Sequence, residues 1–389
     1  MAYTAWMSSP APAIPNSKGR EPAVGRARTF WQRVSEGRQV DDLWTHFVAD
    51  ARASYGFYGR DVDWEQIRKL PRWRRPFHIT KEFFWALLLK MTPARRVLLI
   101  IGLVLMTLSA STLRIGNQTF LDIKMEALAA AIFLLLLSLE LADKVTMKRD
   151  LEIAREIQLW LVPNEPPQVP GGDIAFATRP QNSVAGDYYD AFYPDSGSQR
   201  LLLVIADVAG KSVPAALLMA TLQASLRTIA GEGASLAELV MRLNRYACAH
   251  SLEGRRFTTA VIAEYDPATR QVGYVNAGHN QPILRRTNGA TEVLDAGGLP
   301  FGIEATATYE VGAAKLEPGD ALIFFTDGVV EAFNESGQEF GSSRWLDAIR
   351  TLPVIGARDT LQHLMQRVDA FVGATRQSDD ITCMVFRSN

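Results

Sequence analysis

The sequence predicts an α+β protein: an antiparallel β-sandwich flanked by helices, preceded by a helical linker and a transmembrane helical hairpin. Three observations predict it. From Gly171 onward, short β-rich runs follow one another in meanders broken by Gly, Asn and Asp turns, where a parallel sheet would alternate strand and helix. Ahead of them lie two uncharged apolar runs, 97–113 and 127–139. Between these regions, the apolar residues of 140–161 recur at helical spacing.

Composition bounds the classes. With 48% hydrophobic and 21% charged residues over 389 positions, the chain is too apolar for disorder and long enough for two or three domains. Two cysteines, Cys248 and Cys383, exclude a disulfide framework and a cysteine-based zinc site, and suit a reducing compartment. The net charge of −1 hides an asymmetry: residues 1–96 hold 17 Lys/Arg against 9 Asp/Glu. Segment 68–96 alone has nine basic residues and one acid, Glu82. Such a segment suits nucleic acid or an anionic membrane surface. The apolar runs that follow decide for the membrane, with no nucleic acid expected.

In chain order, residues 1–28 are rich in Pro, Ala, Ser and Gly and are expected to be disordered. Residues 29–95 form a Trp-rich, basic helical region expected on the cytoplasmic side. Trp73 and Trp85 beside basic residues suit an interfacial belt, and a small helical bundle with ordinary core tryptophans suits the pattern equally. Residues 96–143 hold the two spans. The first, 17 residues, makes a helix about 25 Å long, near the lower limit for crossing a bilayer. The second is shorter, and alone would read as a buried core helix; the polar stretch 115–124 joins the pair. The positive-inside rule places 68–96 in the cytoplasm, and two spans return Lys144, Lys148 and Arg149 there. A multi-pass protein of the inner (cytoplasmic) membrane is expected, its C-terminal domain facing the cytoplasm.

Residues 144–164 form the linker. Met147, Leu151, Ala154, Ile157 and Leu161 make one helical stripe, and Ile153, Ile157 and Trp160 a second. A helix apolar on two flanks buries both, one on the following domain and one on a partner helix. A homodimer through 140–161 is therefore expected, with a plain surface helix as the alternative. Pro163 and the run NEPPQVPGG end it.

Residues 165–389 hold the chemistry. Strands are predicted at 173–179, 201–207, 257–265, 271–276, 282–286, 321–326 and 381–386, and helices at 214–230, 235–249 and 359–373. Four times an aspartate stands at the end of a hydrophobic strand: Asp207 after 201–206, Asp327 after 321–326, Asp379-Asp380 before 381–386, and Asp187 and Asp190 in GDYYD. A single strand-end aspartate is usually a cap or turn former. Several converging on one sheet end repel unless a cation neutralises them. Carboxylates without a Cys or His set are hard oxygen ligands, which points to Mg²⁺ or Mn²⁺. Two such ions can activate a water and neutralise a phosphoryl group. Gly210 and Gly328 permit tight turns beside two of the acids.

The motifs VAGDYYD (184–190), IADVAGKSVPAALLMA (205–220), FTTAVI (257–262), NAGHNQP (276–282), GLPFG (298–302), FFTDGVVEA (324–332) and SDDIT (378–382) stand in the order found in one protein family. Over roughly residues 150–389 the chain resembles the SpoIIE-like, RsbU-type branch of the PPM metal-dependent protein serine/threonine phosphatases. The resemblance implies the PPM sandwich, two Mn²⁺ or Mg²⁺ ions, and hydrolysis of phosphoserine or phosphothreonine on an anti-sigma-factor antagonist. By the same resemblance, Asp207 looks like the acid bridging both metals, with the Val208 carbonyl beside it. Asp327 and Asp379 look like ligands of the first metal, and Asp187 stands on the second metal's side. Asp190 looks like a residue orienting a water, and Asp380 like a turn cap. The common GGD is AGD here (Ala185), and the common GKG is GKS (Ser212); neither change removes a ligand.

Three further residues carry two readings each. His279 suits a catalytic or phosphate-contacting role, or that of an ordinary turn histidine. Lys211 and Arg179 suit substrate phosphate binding, or the solvated lysine and strand-end arginine they otherwise resemble. Two other functions use the same features. A phosphatase-like domain without turnover would signal through pairing of 140–161. A nucleotidyl cyclase also needs paired strand-end aspartates, but no Gly-rich phosphate loop supports it.

Overall fold

The computed structural model describes residues 67, 71, 73–108, 125–195, 198–210, 212–250 and 256–389. The expected disorder of 1–28, most of the Trp-rich region, the loop 115–124 and Lys211 lie outside the described residues. The chain divides into two compact units, Met1–Glu140 and Leu141–Asn389.

The first unit contains α1 (Arg75–Lys90), α2 (Pro93–Leu108) and the start of α3 (Met125–Leu161). Met91 leaves the helical region with φ −79° and ψ 151°, ending α1. Pro93 then opens α2, where a residue without an N–H is tolerated. Arg95 Nη1 donates to Glu140 Oε2 at 3.1 Å. Seven residues further along α2, a Cβ on Gly102 would stand 3.0 Å from the Phe133 ring. One number rises by seven as the other falls by seven, so α2 pairs antiparallel with α3. Only Ala129 and Leu136 are buried on α3, while Met106, Leu134 and Leu137 are 60%, 65% and 65% exposed. Exposed apolar surface of this extent marks a contact site.

The second unit is a sandwich of two sheets. Sheet A has the order β1 (Gly172–Arg179), β11 (Ile381–Ser388), β10 (Ala321–Phe325), β6 (Ile283–Arg285), β7 (Thr291–Val293). Sheet B has the order β2 (Tyr188–Phe192), β3 (Leu201–Val208), β4 (Thr258–Asp266), β5 (Gln271–Ala277), β8 (Gly297–Gly298), with β9 (Gly312–Lys315) also on β5. All pairings are antiparallel except β5 with β8. Leu201, Leu203 and Ile205 of β3 face Phe324, Met384 and Phe386 between the sheets. Leu202, Val204 and Ala206 pack outward under α4 (Val213–Gly231) and α5 (Leu236–Ala249). On the other side, Ile323, Phe325 and Val385 lie under α7 (Gly341–Arg350) and α8 (Ala357–Val372). Strands buried on both faces read as unbroken apolar runs, which is why β3 and β10 stand out in the sequence. The short β7, β8, β9 and the helix α7 were not expected.

Two described helices, Met125–Leu161 and Val213–Gly231, are long and apolar enough to cross a membrane by length and composition. The second is a core helix of the sandwich: Ala215, Met219, Leu222, Leu226 and Ala230 are buried against sheet B.

Asp190 corrects one expectation. Its carboxylate is fully buried and accepts from Arg227 Nε and Nη2 at 2.9 and 2.8 Å and from Tyr188 Oη at 2.6 Å. Arg227 in turn covers the Phe192 ring at 4.3 Å. This acid fastens α4 to sheet B and is not available to orient a water. Arg227→Ala leaves it buried without its counter-charge, and about 3 kcal/mol of stability is expected to be lost in chemical denaturation. Asp190→Asn combined with Arg227→Ala should recover part of that loss.

Candidate metal centre

The ends of β3 and β10 and the starts of β2 and β11 meet at one rim of the sandwich. Asp187 precedes β2, and its side chain is 5% exposed. Thr326 Oγ1, at the end of β10, donates to Asp187 Oδ2 at 2.9 Å. The same hydroxyl accepts from the Thr382 N–H of β11 at 2.9 Å. Asp187 is thereby held against the strands that lead to Asp327 and Asp379. Burial pushes the Asp187 carboxyl well above the ordinary range, and the charges of Asp207 and Asp380 push it the same way. The Thr382 and Thr326 hydroxyls pull it back in part.

Gly186 is confined by the next acid. A Cβ there would meet the Val208 carbonyl at 3.1 Å and Asp207 Oδ1 at 3.5 Å. Gly328, after Asp327, is confined more tightly, since a Cβ would fall 1.9 Å from the Asp380 carbonyl oxygen. Asp327 opens α6 (Asp327–Val330). Asp379 accepts the Asp380 N–H at 2.9 Å. Asp380 accepts from Gly186 N and Gln181 N, both at 2.7 Å, so it ties the 181–186 loop to β11.

Asp187, Asp207, Val208, Asp327 and Asp379 therefore gather at one rim. Among the described residues, no three acidic, His or Cys side chains stand in a metal-coordinating arrangement. The donor chemistry nonetheless fits a hard divalent cation: every group is an oxygen, and the burial and mutual repulsion at Asp187 call for positive charge.

His279 is 7% exposed. Its Nδ1 lies 2.8 Å from Thr259 Oγ1, and that hydroxyl is 3.4 Å from the Asp207 carbonyl oxygen, whose residue pairs with Thr259 across β3 and β4. Nε2 makes no hydrogen bond. Burial lowers the imidazole pKa to about 4, the Phe325 backbone opposing only in part. The ring is neutral at pH 7 and carries no imidazolium proton to give. It borders a cleft of about 540 Å³ whose walls include Asn276, Asn280, Phe325 and Trp345.

Arg179 has a structural partner. At the end of β1, its guanidinium makes a two-pronged ion pair with Asp369 of α8, one prong from Nη2 at 2.9 Å. Ser212 stands at φ 63° and ψ −147°, a region that favours glycine.

Gln158 carries no functional signal in the sequence. From α3 its side-chain amide donates to the Ala185 carbonyl at 2.8 Å and accepts the Ala185 N–H at 3.0 Å. It clasps the residue two before Asp187. Leu151, Ala154 and Leu161 beside it are half-buried, whereas Ile153, Ile157 and Trp160 are 46%, 49% and 79% exposed. Met147, placed on the first stripe, is exposed as well.

Residues 197–389 match the family described as Stage II sporulation protein E (SpoIIE). The chain is 32% identical over 192 residues to the phosphoserine phosphatase RsbU of Bacillus subtilis, covering 49% of this chain and 56% of that one. It is 26% identical over 280 residues to the protein IcfG of Synechocystis, covering 65% of this chain and 44% of that one. It spans about half the length of the curated relatives it matches. Among solved structures, the SiaA-PP2C domain of Pseudomonas aeruginosa superposes with a TM-score of 0.54 at 20% identity, over 64% of this chain and 99% of that one, which establishes the shared fold. Over residues 197–389 the C-terminal domain, with its acids at one rim of a helix-covered sandwich, is similar to SpoIIE-type, RsbU-like protein phosphatases.

Proposed function

We propose that the chain is a membrane-anchored, metal-dependent protein phosphatase hydrolysing phosphoserine or phosphothreonine, on an anti-sigma-factor antagonist or a similar signalling protein. The observation that carries this is the buried Asp187 carboxyl at the rim where the strand-end acids lie, pushed upward by burial and by the charges of Asp207 and Asp380. Two Mn²⁺ or Mg²⁺ ions, when bound, would supply a Lewis-acid pair that activates water and neutralises phosphoryl oxygens. Asp207, with the Val208 carbonyl, would hold both ions, Asp327 and Asp379 the first, and Asp187 the second. Thr326 and Thr382 fix the Asp187 carboxylate, and Asp380 fixes its loop. Arg179, paired to Asp369, and His279, neutral, act as positioning residues.

The membrane reading is supported by the antiparallel pairing of α2 with α3 and by their outward apolar side chains, with the Arg95–Glu140 ion pair at the polar end. It makes the chain a multi-pass protein of the cytoplasmic membrane. The exposed Ile153, Ile157 and Trp160 support a homodimer, each copy covering the other's stripe. Ordering of that pair would act on the metal centre through Gln158.

Full chain in detergent with Mn²⁺ should hydrolyse p-nitrophenyl phosphate, and Asp207→Ala or Asp327→Ala should lower the rate by about 100-fold or more. No Mn²⁺-dependent release from a folded chain would leave the binding-module reading. Gln158→Ala is expected to raise the Mn²⁺ concentration for half-maximal rate by about tenfold at unchanged circular dichroism. Ala154→Pro should change oligomeric state and rate together, as light scattering and the same assay would show.

His279 titrates lower folded than unfolded, so the unfolded chain binds more protons as pH falls. Its contribution to stability is complete above its unfolded pKa of about 6.5 and is lost as pH falls towards about 4. Denaturation midpoints at pH 7 and pH 5 should differ less in His279→Gln than in the parent chain. An equal acid sensitivity in both would contradict the buried neutral ring.

A further inference from the structure

Trp73, in the turn before α1, and Phe77, Phe84 and Trp85 on α1 are 74%, 76%, 39% and 51% exposed. Phe77, Lys81 and Phe84 recur at steps of four and three, so they share one side of the helix, and Trp85 broadens it. Ala86 and Leu88 are buried. Aromatic side chains carry a large apolar area with polar edges, and four displayed within 13 positions call for a cover that is apolar on one side and wet on the other. The charge on the same stretch is one-signed: Arg74, Arg75, Lys81, Lys90, Arg95 and Arg96 against Glu82 alone between 73 and 96. Arg74 lies over the Trp73 ring at 4.6 Å.

Position along the chain gives the depth. Only Met91 and Thr92 separate α1 from α2. Arg96, in the first turn of α2, donates to the Met91 and Leu89 carbonyls at 2.8 and 2.6 Å, binding the end of α1 to the head of α2. Arg95 beside it meets Glu140, so α1 ends at the polar end of the hairpin. Helices with aromatic and basic residues on one side settle at the level of lipid headgroups. A second copy of the same face would bring like charge against like charge.

We propose that α1 lies in the plane of the bilayer and binds anionic phospholipid headgroups, with Trp73, Phe77, Phe84 and Trp85 entering the acyl boundary and Arg74 and Lys81 meeting the phosphates. This rests on the hairpin reading of α2 and α3.

The test reconstitutes the full chain in phosphatidylcholine bilayers with or without phosphatidylglycerol, one lipid at a time carrying acyl-chain bromine to quench nearby tryptophan. Trp73→Phe with Trp85→Phe keeps the aromatic side and removes its emission. Brominated phosphatidylglycerol should quench the parent chain roughly twofold more than that double variant. Arg74→Glu with Lys81→Glu should remove at least about half of the surplus. Equal quenching of the parent and the tryptophan variant overturns the proposal, and quenching without preference for phosphatidylglycerol overturns its anionic ligand. Alkaline carbonate extraction separates the two readings. A parent chain that leaves the membrane fraction overturns the hairpin and this inference with it. Charge-reversed chain that stays in the pellet without the surplus supports the role of α1 in headgroup binding.

Discussion

Negative charge held close together at one rim of the sandwich is the constraint on which the site depends. Burying a carboxylate is unfavourable, and burying it near others more so, yet Asp187 is nearly inaccessible and feels both Asp207 and Asp380. The backbone allows no escape. Gly328 stands against the Asp380 carbonyl where no side chain fits, and Gly186 stands against Val208 and Asp207. Thr326 and Thr382 then lock β10 to β11 through the hydroxyl that also holds Asp187. A rim this confined cannot relax its repulsion by moving the acids apart. A divalent cation offsets that repulsion, and in the proposed reading it is the remedy used.

The sequence made the frame legible where burial is two-sided. β3 as far as Ala206 and the whole of β10 are apolar at every position because each is covered by the opposing sheet and by helices, so an aspartate ending such a run stands out. Short edge strands carry no such signal. β7, β8 and β9 hold two to four residues each, and their pairing is decided by neighbours distant in sequence. Asp187 and Asp190 show the limit within one motif. Both stand in GDYYD, and what separates them is Arg227, 37 residues away on α4, which claims Asp190 for the outer face. Gln158 was hidden for a similar reason, as one polar residue among several on an amphipathic helix until its partner at Ala185 is known.

The two departures from the family's usual glycines have different consequences. Ala185 is buried and lies outside the left-handed region, and its N–H and carbonyl are both taken by Gln158, so a methyl group is accommodated. Ser212 holds a conformation that a Cβ disfavours, at a cost of order 1–3 kcal/mol. It does so at the head of α4, directly before Val213 and Pro214, whose ring cannot adjust. The strain lies on the chain that follows Asp207, Val208, Ala209 and Gly210, so it is stored beside the rim.

The magnitude of the Gln158 clasp bears on what it can do. Two neutral hydrogen bonds, partly exposed, contribute about 1 kcal/mol each, hence about 2 kcal/mol together. That is roughly a 30-fold bias between a held and a released loop. Asp380 holds the same loop from β11 through the Gly186 and Gln181 N–H groups, so the clasp adds this bias to a loop already anchored on its other side. Gln158 lies on the part of α3 that belongs to the second unit, so a change in how residues 141–161 pack reaches Ala185 directly. The geometry therefore suits a loop braced from two sides, by the helix at Ala185 and by the carboxylate ahead of β11 at Gly186 and Gln181.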